Sequence, residues 1–323
     1  MKNSRKMFIL IEGLLAVLLV TVFLAMVRER KPPEQKKISA IVSASDDSQW
    51  AAFQYGLRMA AQDFGIDLTV VKTQGDLWLE EEQRLIKREM ENGADAVIVQ
   101  PAPYPGTTKM LEKMARQLPI MLVEDNGAAE GEETALPYTA PDNYGMGKAL
   151  ALELLLDYSG TIQGKTIGIV LETTGSGAAE KRLQGFLDAV EGKGGKVLWS
   201  LPKDQEMESS ILKEQPGVDF VVALDDKSVV QAGAASEAND LHGALVYGIG
   251  NSTEAVYYLD SDAVQCLVVP DEFNVGYQSL AEAADSSGSF YDRMESQTVS
   301  HTVLRREELF FKENQEILFT MNQ

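Results

Sequence analysis

The chain has 323 residues, 45% of them hydrophobic, and a formal net charge of −20. Residues 1–37 carry eight Lys/Arg against three Glu, leaving 21 basic and 46 acidic residues beyond them, a net of −25. Such a surface repels phosphate backbones, so no nucleic-acid partner is expected, and the length suffices for two globular domains.

The N-terminus opens with the basic "MKNSRK" and continues into the apolar run Met7 to Val27, which holds one charge, Glu12. At about 1.5 Å per residue, this run is long enough for a hydrocarbon core of roughly 30 Å. A cleavable signal core is shorter and ends in small residues; here Phe23 stands two positions before Ala25, and no Cys follows for lipid attachment. The expectation is an uncleaved single-pass anchor, with residues 1–37 as cytoplasmic tip, membrane helix and stalk. Lys2, Arg5 and Lys6 flank one end, and Arg28, Arg30, Lys31, Lys36 and Lys37 the other. Counted strictly, the positive-inside rule would leave the large domain in the cytoplasm, and only the resemblance given below places it outside.

From Ile38 onward, short β-branched runs alternate with amphipathic ones. "KISAIVS", "DLTVV", "DAVIVQ" and "PIMLVE" read as strands in the first half; "KTIGIVLE", "KVLWS", "DFVVALD", "ALVYGIG" and "VQCLVV" follow. Most are continuously apolar, which suits parallel strands covered on both faces. Between them, Trp50, Phe53, Leu57, Ala60, Ala61 and Phe64 form one helical stripe, and Leu183, Phe186, Leu187 and Val190 another. The fold class is α/β: two doubly wound parallel-sheet lobes with right-handed crossovers, plus the N-terminal helix.

In open sheets of this kind, ligands sit beyond the C-terminal strand ends, and polar groups gather there. "SASDDSQW" supplies Asp46 and Asp47, "VIVQ" ends in Gln100, and "MLVEDN" brings Glu124, Asp125 and Asn126. "LETTGSG" offers Glu172 and Thr173, "LDDKS" Asp225 and Asp226, and "GIGNS" Asn251. Each has a plain alternative. Asp46, Asp47 and Ser48 can cap a helix, as can Asp225 and Asp226. Trp50 can be core, and Arg182 a surface partner of Glu180 or Asp188.

Catalytic motifs are weak. The Gly-x-Gly of "TTGSGAAEKR" lacks both the third glycine of a dinucleotide loop and the Gly-Lys-Ser/Thr of a P-loop. "DDKS" with Lys227 matches a phosphoacceptor pocket only faintly. A metal site from Asp46, Asp47, Asp225 and Asp226 requires both lobes to close. With one cysteine, Cys266, and two histidines, His242 and His301, neither an intrachain disulfide nor a zinc site is expected. Cys266 within "VQCLVV" reads as a buried strand residue. No catalytic residue, metal or cofactor is assigned.

Six stretches in order carry a family resemblance: "IVSASDDSQWAAFQYGLRMAAQDFG", "NGADAVIVQPAPY", "LPIMLVEDN", "YTAPDNYGMGKALA", "GSGAAEKRLQGFLDAV" and "VVALDDKSVVQAGAA". From about Lys37 to the end, the chain resembles the type I periplasmic sugar-binding proteins of the ribose and galactose group, whose fold is also the effector domain of lactose-repressor regulators. The resemblance implies two lobes, 38–141 with 270–300 and 142–269 with 301–323. Crossovers are expected near Asp142, Val269 and His301.

It also implies first-lobe ligand contacts at Ser43, Asp47, Gln49 and Trp50, the last as an aromatic plate, with Gln100 and Glu124 at the next strand ends. Arg182 and Asp225 would face them from the second lobe, and the strand-end pattern adds Asn251 there. Departures are equally specific: Gln49 replaces a second aromatic, Asp125 stands where Arg is common, Gly250 replaces an Asp, and Val268 replaces the Gln before the hinge proline Pro270. They remove hydroxyl-reading groups and add acids, so a cationic or amino-bearing solute, or a cation, stands beside a sugar. The function expected is extracytoplasmic capture of a small, carbohydrate-like solute by hinge closure, for the permease of an ATP-driven (ABC-type) importer. The alternative is presentation of the closed form to a membrane sensor histidine kinase. No enzymatic activity is expected.

Overall fold

A computed structural model describes residues 7, 12–22, 35–43, 50–73, 75, 77–125, 134–171, 177–202, 210–286, 294–312 and 314–315. Residues 1–35 and 36–323 form separate units. In the first, residues 12–22 are helical and their apolar side chains, Leu14, Val17 and Leu19 among them, are exposed. Eleven helical residues span about 16 Å, half of a hydrocarbon core. Among the described residues, no helix is long and apolar enough to cross a membrane. Residues 8–11 and 23–27 of the expected anchor lie outside the described set.

The second unit alternates strands and helices. Its first half runs β1 (Lys37–Ile41), α1 (Ala51–Phe64), β2 (Asp67–Val70), α2 (Leu79–Glu91), β3 (Ala96–Val99), α3 (Thr107–Met114), β4 (Ile120–Val123) and β5 (Tyr138–Pro141). Next come α4 (Asn143–Asp157), β6 (Thr166–Leu171), α5 (Gly177–Val190), β7 (Lys196–Pro202), α6 (Ser210–Glu214), β8 (Phe220–Ala223), α7 (Asp226–Glu237), β9 (Leu245–Ile249), α8 (Thr253–Asp260) and β10 (Cys266–Pro270). Finally, α9 (Glu272–Ser286) leads to β11 (Gln297–Val299) and β12 (His301–Leu304).

These strands make two six-stranded sheets, ordered β11-β5-β4-β3-β1-β2 and β12-β10-β9-β8-β6-β7. All pairings are parallel except β10 with β12. The continuous apolar runs follow from burial on both faces. Along β3, Ala96 and Ile98 enter the core layer under α1 and α9, while Val97 and Val99 enter the layer under α2 and α3. The second sheet repeats this: Ile167 and Ile169 pack with Leu150, Leu154 and Phe186, whereas Val170 packs with Val229 and Leu259 on the opposite face. Each fully buried large aliphatic or aromatic side chain contributes about 1.5–3 kcal/mol. Cys266 is fully buried in β10, and burial pushes its thiol up to about 12.

The lobes share a second device. A Cβ at Gly56 of α1 would lie 2.0 Å from the Phe273 carbonyl oxygen of α9, and one at Gly147 of α4 would lie 1.8 Å from the Arg182 carbonyl oxygen of α5. In each lobe, then, the helix that follows a crossing is pressed backbone to backbone against the helix that follows the lobe's first strand. Only glycine permits that approach.

The chain passes between sheets at Asp142, at Asp271 and at Ser300. The outer two passages are joined, because the Asp142 amide donates to the Val299 carbonyl at 2.9 Å. Strands β5, β11 and β12 are elements that the apolar pattern alone does not suggest.

Candidate functional site

In the first sheet, strand-end residues form a row across β4, β3 and β1. Glu124, Gln100 and Ser43 follow these neighbouring strands. The Ser43 amide donates to the Gln100 side-chain oxygen at 2.9 Å, and the Ser43 hydroxyl accepts the Leu77 amide at 3.1 Å. The edge is therefore a knit surface rather than a set of loose loops.

Glu124 ends the row in a left-handed conformation, φ 72°. Such a backbone is costly for a side chain larger than Asn, by about 1–3 kcal/mol, and persists where the surroundings impose it. Here Asn143 of α4 does so by donating its side-chain amide to the Glu124 carbonyl at 2.8 Å. Asn143 Oδ1 accepts from Arg182 Nε at 2.8 Å, and Arg182 Nη1 donates to the Leu224 carbonyl at 3.4 Å, one residue before Asp225. The Arg182 fork also lies 3.6 Å from Glu124 Oε2, with the two side chains 11% and 16% exposed. Arg182 thus joins the first lobe's β4 end to the second lobe's β8 end.

A second acid completes this cluster. Glu272, at the start of α9, is 6% exposed, and its carboxyl hydrogen-bonds that of Glu124. Burial, then the neighbouring Glu124 charge, raises Glu272 well above the ordinary carboxylate range. Burial also raises Glu124, against the opposing pull of Arg182. One cation lies beside two buried carboxyls, so the pair holds protons more tightly than free carboxylates do. Glu124 Oε1 and Glu272 Oε2 are buried without a hydrogen-bond partner among the described residues. Beside them, Lys181 pairs with Asp125, a second ion pair between the lobes.

The second lobe's strand-end acids are placed differently. Asp225 caps α7, accepting the Ser228 amide at 2.8 Å. Asp226 accepts the amides of Asn251 and Ser252, both at 2.8 Å. Burial raises Asp226 above the usual range, against these two donors. Asn251 is 8% exposed and so presents little surface.

The structure thus brings Glu124, Arg182 and the β8 end at Asp225 together, sets Ser43 beside Gln100, and places Asn251 on Asp226. Trp50 is elsewhere: it is 5% exposed, edge-on to Phe53 at 5.3 Å, in the core with Ile38, Val42 and Val275. Asp47 and Gln49, like Asp46, Asn126, Glu172 and Thr173, lie outside the described residues. Among the described residues, no group of three or more His, Cys, Asp or Glu is arranged to hold a metal ion. Asn143, Lys181 and Glu272 are the cluster members that strand-end reasoning passes over. Each sits at the first turns of a helix; Asn143 and Glu272 also flank a crossing, which is the signal that finds them.

Residues 38–288 match a family model described as a periplasmic binding protein domain. A D-ribose/D-allose-binding protein of Pseudomonas aeruginosa is 24% identical over 170 residues, so the alignment spans about half of each chain, 48% of this one and 51% of the relative. Among solved structures, a carbohydrate-transporter solute-binding protein of Agrobacterium radiobacter, in complex with D-arabinose, superposes with TM-score 0.77 at 20% identity, covering 88% of this chain and 99% of that one. A Caulobacter myo-inositol-binding protein bound to myo-inositol gives TM-score 0.75 at 18% identity, covering 88% and 98%. At these identities the structural likeness speaks for the fold.

Proposed function

Because this chain belongs to the periplasmic binding protein domain family, we propose that it captures a small, carbohydrate-like solute between its two lobes, outside the cytoplasm, and hands it to an ABC-type importer. The observation that carries this reading is Arg182, which reaches from the second lobe to Glu124 of the first and to the β8 end. A guanidinium fork held by Asn143 is oriented before any ligand arrives, and it can donate two parallel hydrogen bonds to vicinal hydroxyls. Ser43, Asp47, Gln49, Gln100 and Glu124 would meet the solute from one side, and Arg182, Asp225 and Asn251 from the other.

We read the moving bodies as 38–141 with 270–300 and 142–269 with 301–323. A ligand touching both favours closure by the difference in its affinity for the two states. No bond is made or broken. The sugars named in the structural relatives support a polyol as the ligand class. The Glu124–Glu272 pair keeps an amino-bearing polyol within that class, since carboxyl oxygens accept hydrogen bonds from amines as well as hydroxyls.

The apolar run from Met7 to Val27 supports a single-pass tether for the binding unit. A fixed tether without a lipidated cysteine also favours a dedicated membrane partner, so delivery of the closed form to a sensor histidine kinase is the second reading.

The test is thermal shift and isothermal titration on the full chain in detergent, with D-ribose, D-arabinose, D-galactose, myo-inositol and D-glucosamine. At least one should raise the melting temperature, and Arg182→Lys should abolish that shift, because lysine keeps the charge but not the fork. A panel without any shift in the wild type, or a shift that survives Arg182→Lys, sinks the reading.

A further inference from the structure

The aromatic plate expected at Trp50 is packed in the core, yet the same sheet edge carries another. Trp78, immediately before α2, is 60% exposed. An indole left that far in water is an unfavourable placement for so large an apolar surface. Its orientation is nonetheless fixed: Tyr104 stacks on one face, with centroids 4.8 Å apart and planes 17° from parallel.

The two rings stand on loops bound to the candidate site. The amide of Leu77, adjacent to Trp78, donates to the Ser43 hydroxyl, and the Ser43 amide donates to Gln100, four residues before Tyr104. Two contacts brace the Tyr104 loop: the Tyr104 amide donates to the Ala102 carbonyl at 2.7 Å, and buried Glu82 of α2 accepts the Ala102 amide at 3.4 Å. Trp78 is therefore a flat exposed surface, backed on one side by Tyr104 and one residue from the Leu77 contact to Ser43. The first turn of α2 adds Glu80 and Glu81, which accept hydroxyl hydrogens and repel anions.

We propose that Trp78, supported by Tyr104, is an outer subsite that stacks a second, uncharged pyranose ring, so that the preferred ligand is a disaccharide or longer saccharide rather than a free monosaccharide. This rests on the solute-binding reading above. The axial C–H face of a pyranose packs on the exposed indole face, while its equatorial hydroxyls stay at the rim within reach of the α2 carboxylates. A ring stacked there gains roughly two- to tenfold in affinity.

The experiment is isothermal titration of the full chain in detergent with three matched pairs: D-xylose and xylobiose, D-glucose and cellobiose, D-galactose and β-1,4-galactobiose. For at least one pair the dimer should bind roughly two- to tenfold tighter than its monomer. In Trp78→Ala that ratio should fall to about one, and Trp78→Phe should keep part of it. Dimer binding should also quench and blue-shift the indole emission, a change absent in Trp78→Ala. Monomers that bind with no gain for any dimer overturn the platform and leave the solute-binding reading standing. Equal weakening of monomer and dimer in Trp78→Ala overturns it too. Failure of both monomers and dimers to bind takes the solute-binding reading down with it.

Discussion

In the second lobe, β8 runs straight into α7, and β9 is followed after three residues by α8. A helix start offers amides without intrahelical partners, and the nearest acids take them: Asp225 holds Ser228, and Asp226 holds Asn251 and Ser252. In the first lobe, β4 leads toward β5 with no helix between them among the described residues. Among the described residues Glu124 caps no helix, and its carboxylate turns across the gap to Arg182. An acid at a strand end becomes available to a site when no helix begins beside it.

Removing the bridge tests this contrast most severely. Arg182→Ala leaves Glu124 and Glu272 buried without a cation, and the loss should be on the order of 3 kcal/mol at pH 7. Both carboxyls hold protons more tightly than free carboxylates, so the loss should shrink as the pH falls to 4. Urea unfolding at the two pH values measures it, and an equal loss at both would refute a charge imbalance.

A second variant probes an acid that neither caps a helix nor crosses the gap. Burial raises Glu82 to about 8, against the Ala102 amide that favours its charge. The folded state holds this proton more tightly than the unfolded one, so its contribution is complete below about pH 4.5 and is lost as pH rises toward 8. Glu82→Gln should remove that slope and gain on the order of 3 kcal/mol at pH 8. A stability-against-pH curve unchanged by the substitution would show that Glu82 is already ionised in the fold.

The smallest effects separate neighbours. Asp226→Ala leaves two buried amides unsatisfied and should cost about 2 kcal/mol, whereas Asp225→Ala removes a single cap worth about 1 kcal/mol. Chemical denaturation of both variants gives the order, and its reversal would break the assignment of Asp226 as the structural member of the pair.

Most of the nine strands expected from the sequence were legible because burial on both faces leaves uninterrupted apolar runs; the edge strands β2 and β7, part-exposed, were legible from their β-branched and aromatic residues. Strands β5, β11 and β12 were not, since three or four residues with Thr, Gln or His among them give no period to read. At the site, Glu124, Arg182 and Asp225 followed from strand ends and the family resemblance. The surroundings of Trp50 and Trp78 did not: an indole one residue before a helix reads the same whether its ring points into the core or into water. Glu272 escaped because its importance comes from the Glu124 carboxyl, which is 148 residues away in the chain.

The three passages between the sheets have a mechanical consequence. Asp142 and Val299 are bonded to each other, and β12 pairs with β10 from Leu304 to His301, up to the last residue before the remaining passage. Segments fastened side by side constrain one another like the knuckles of one door hinge, an arrangement that favours rotation over sliding or splaying. Under the function proposed above, a solute would enter and leave through one reproducible swing, and whatever receives it would need to recognise only the two ends of that arc.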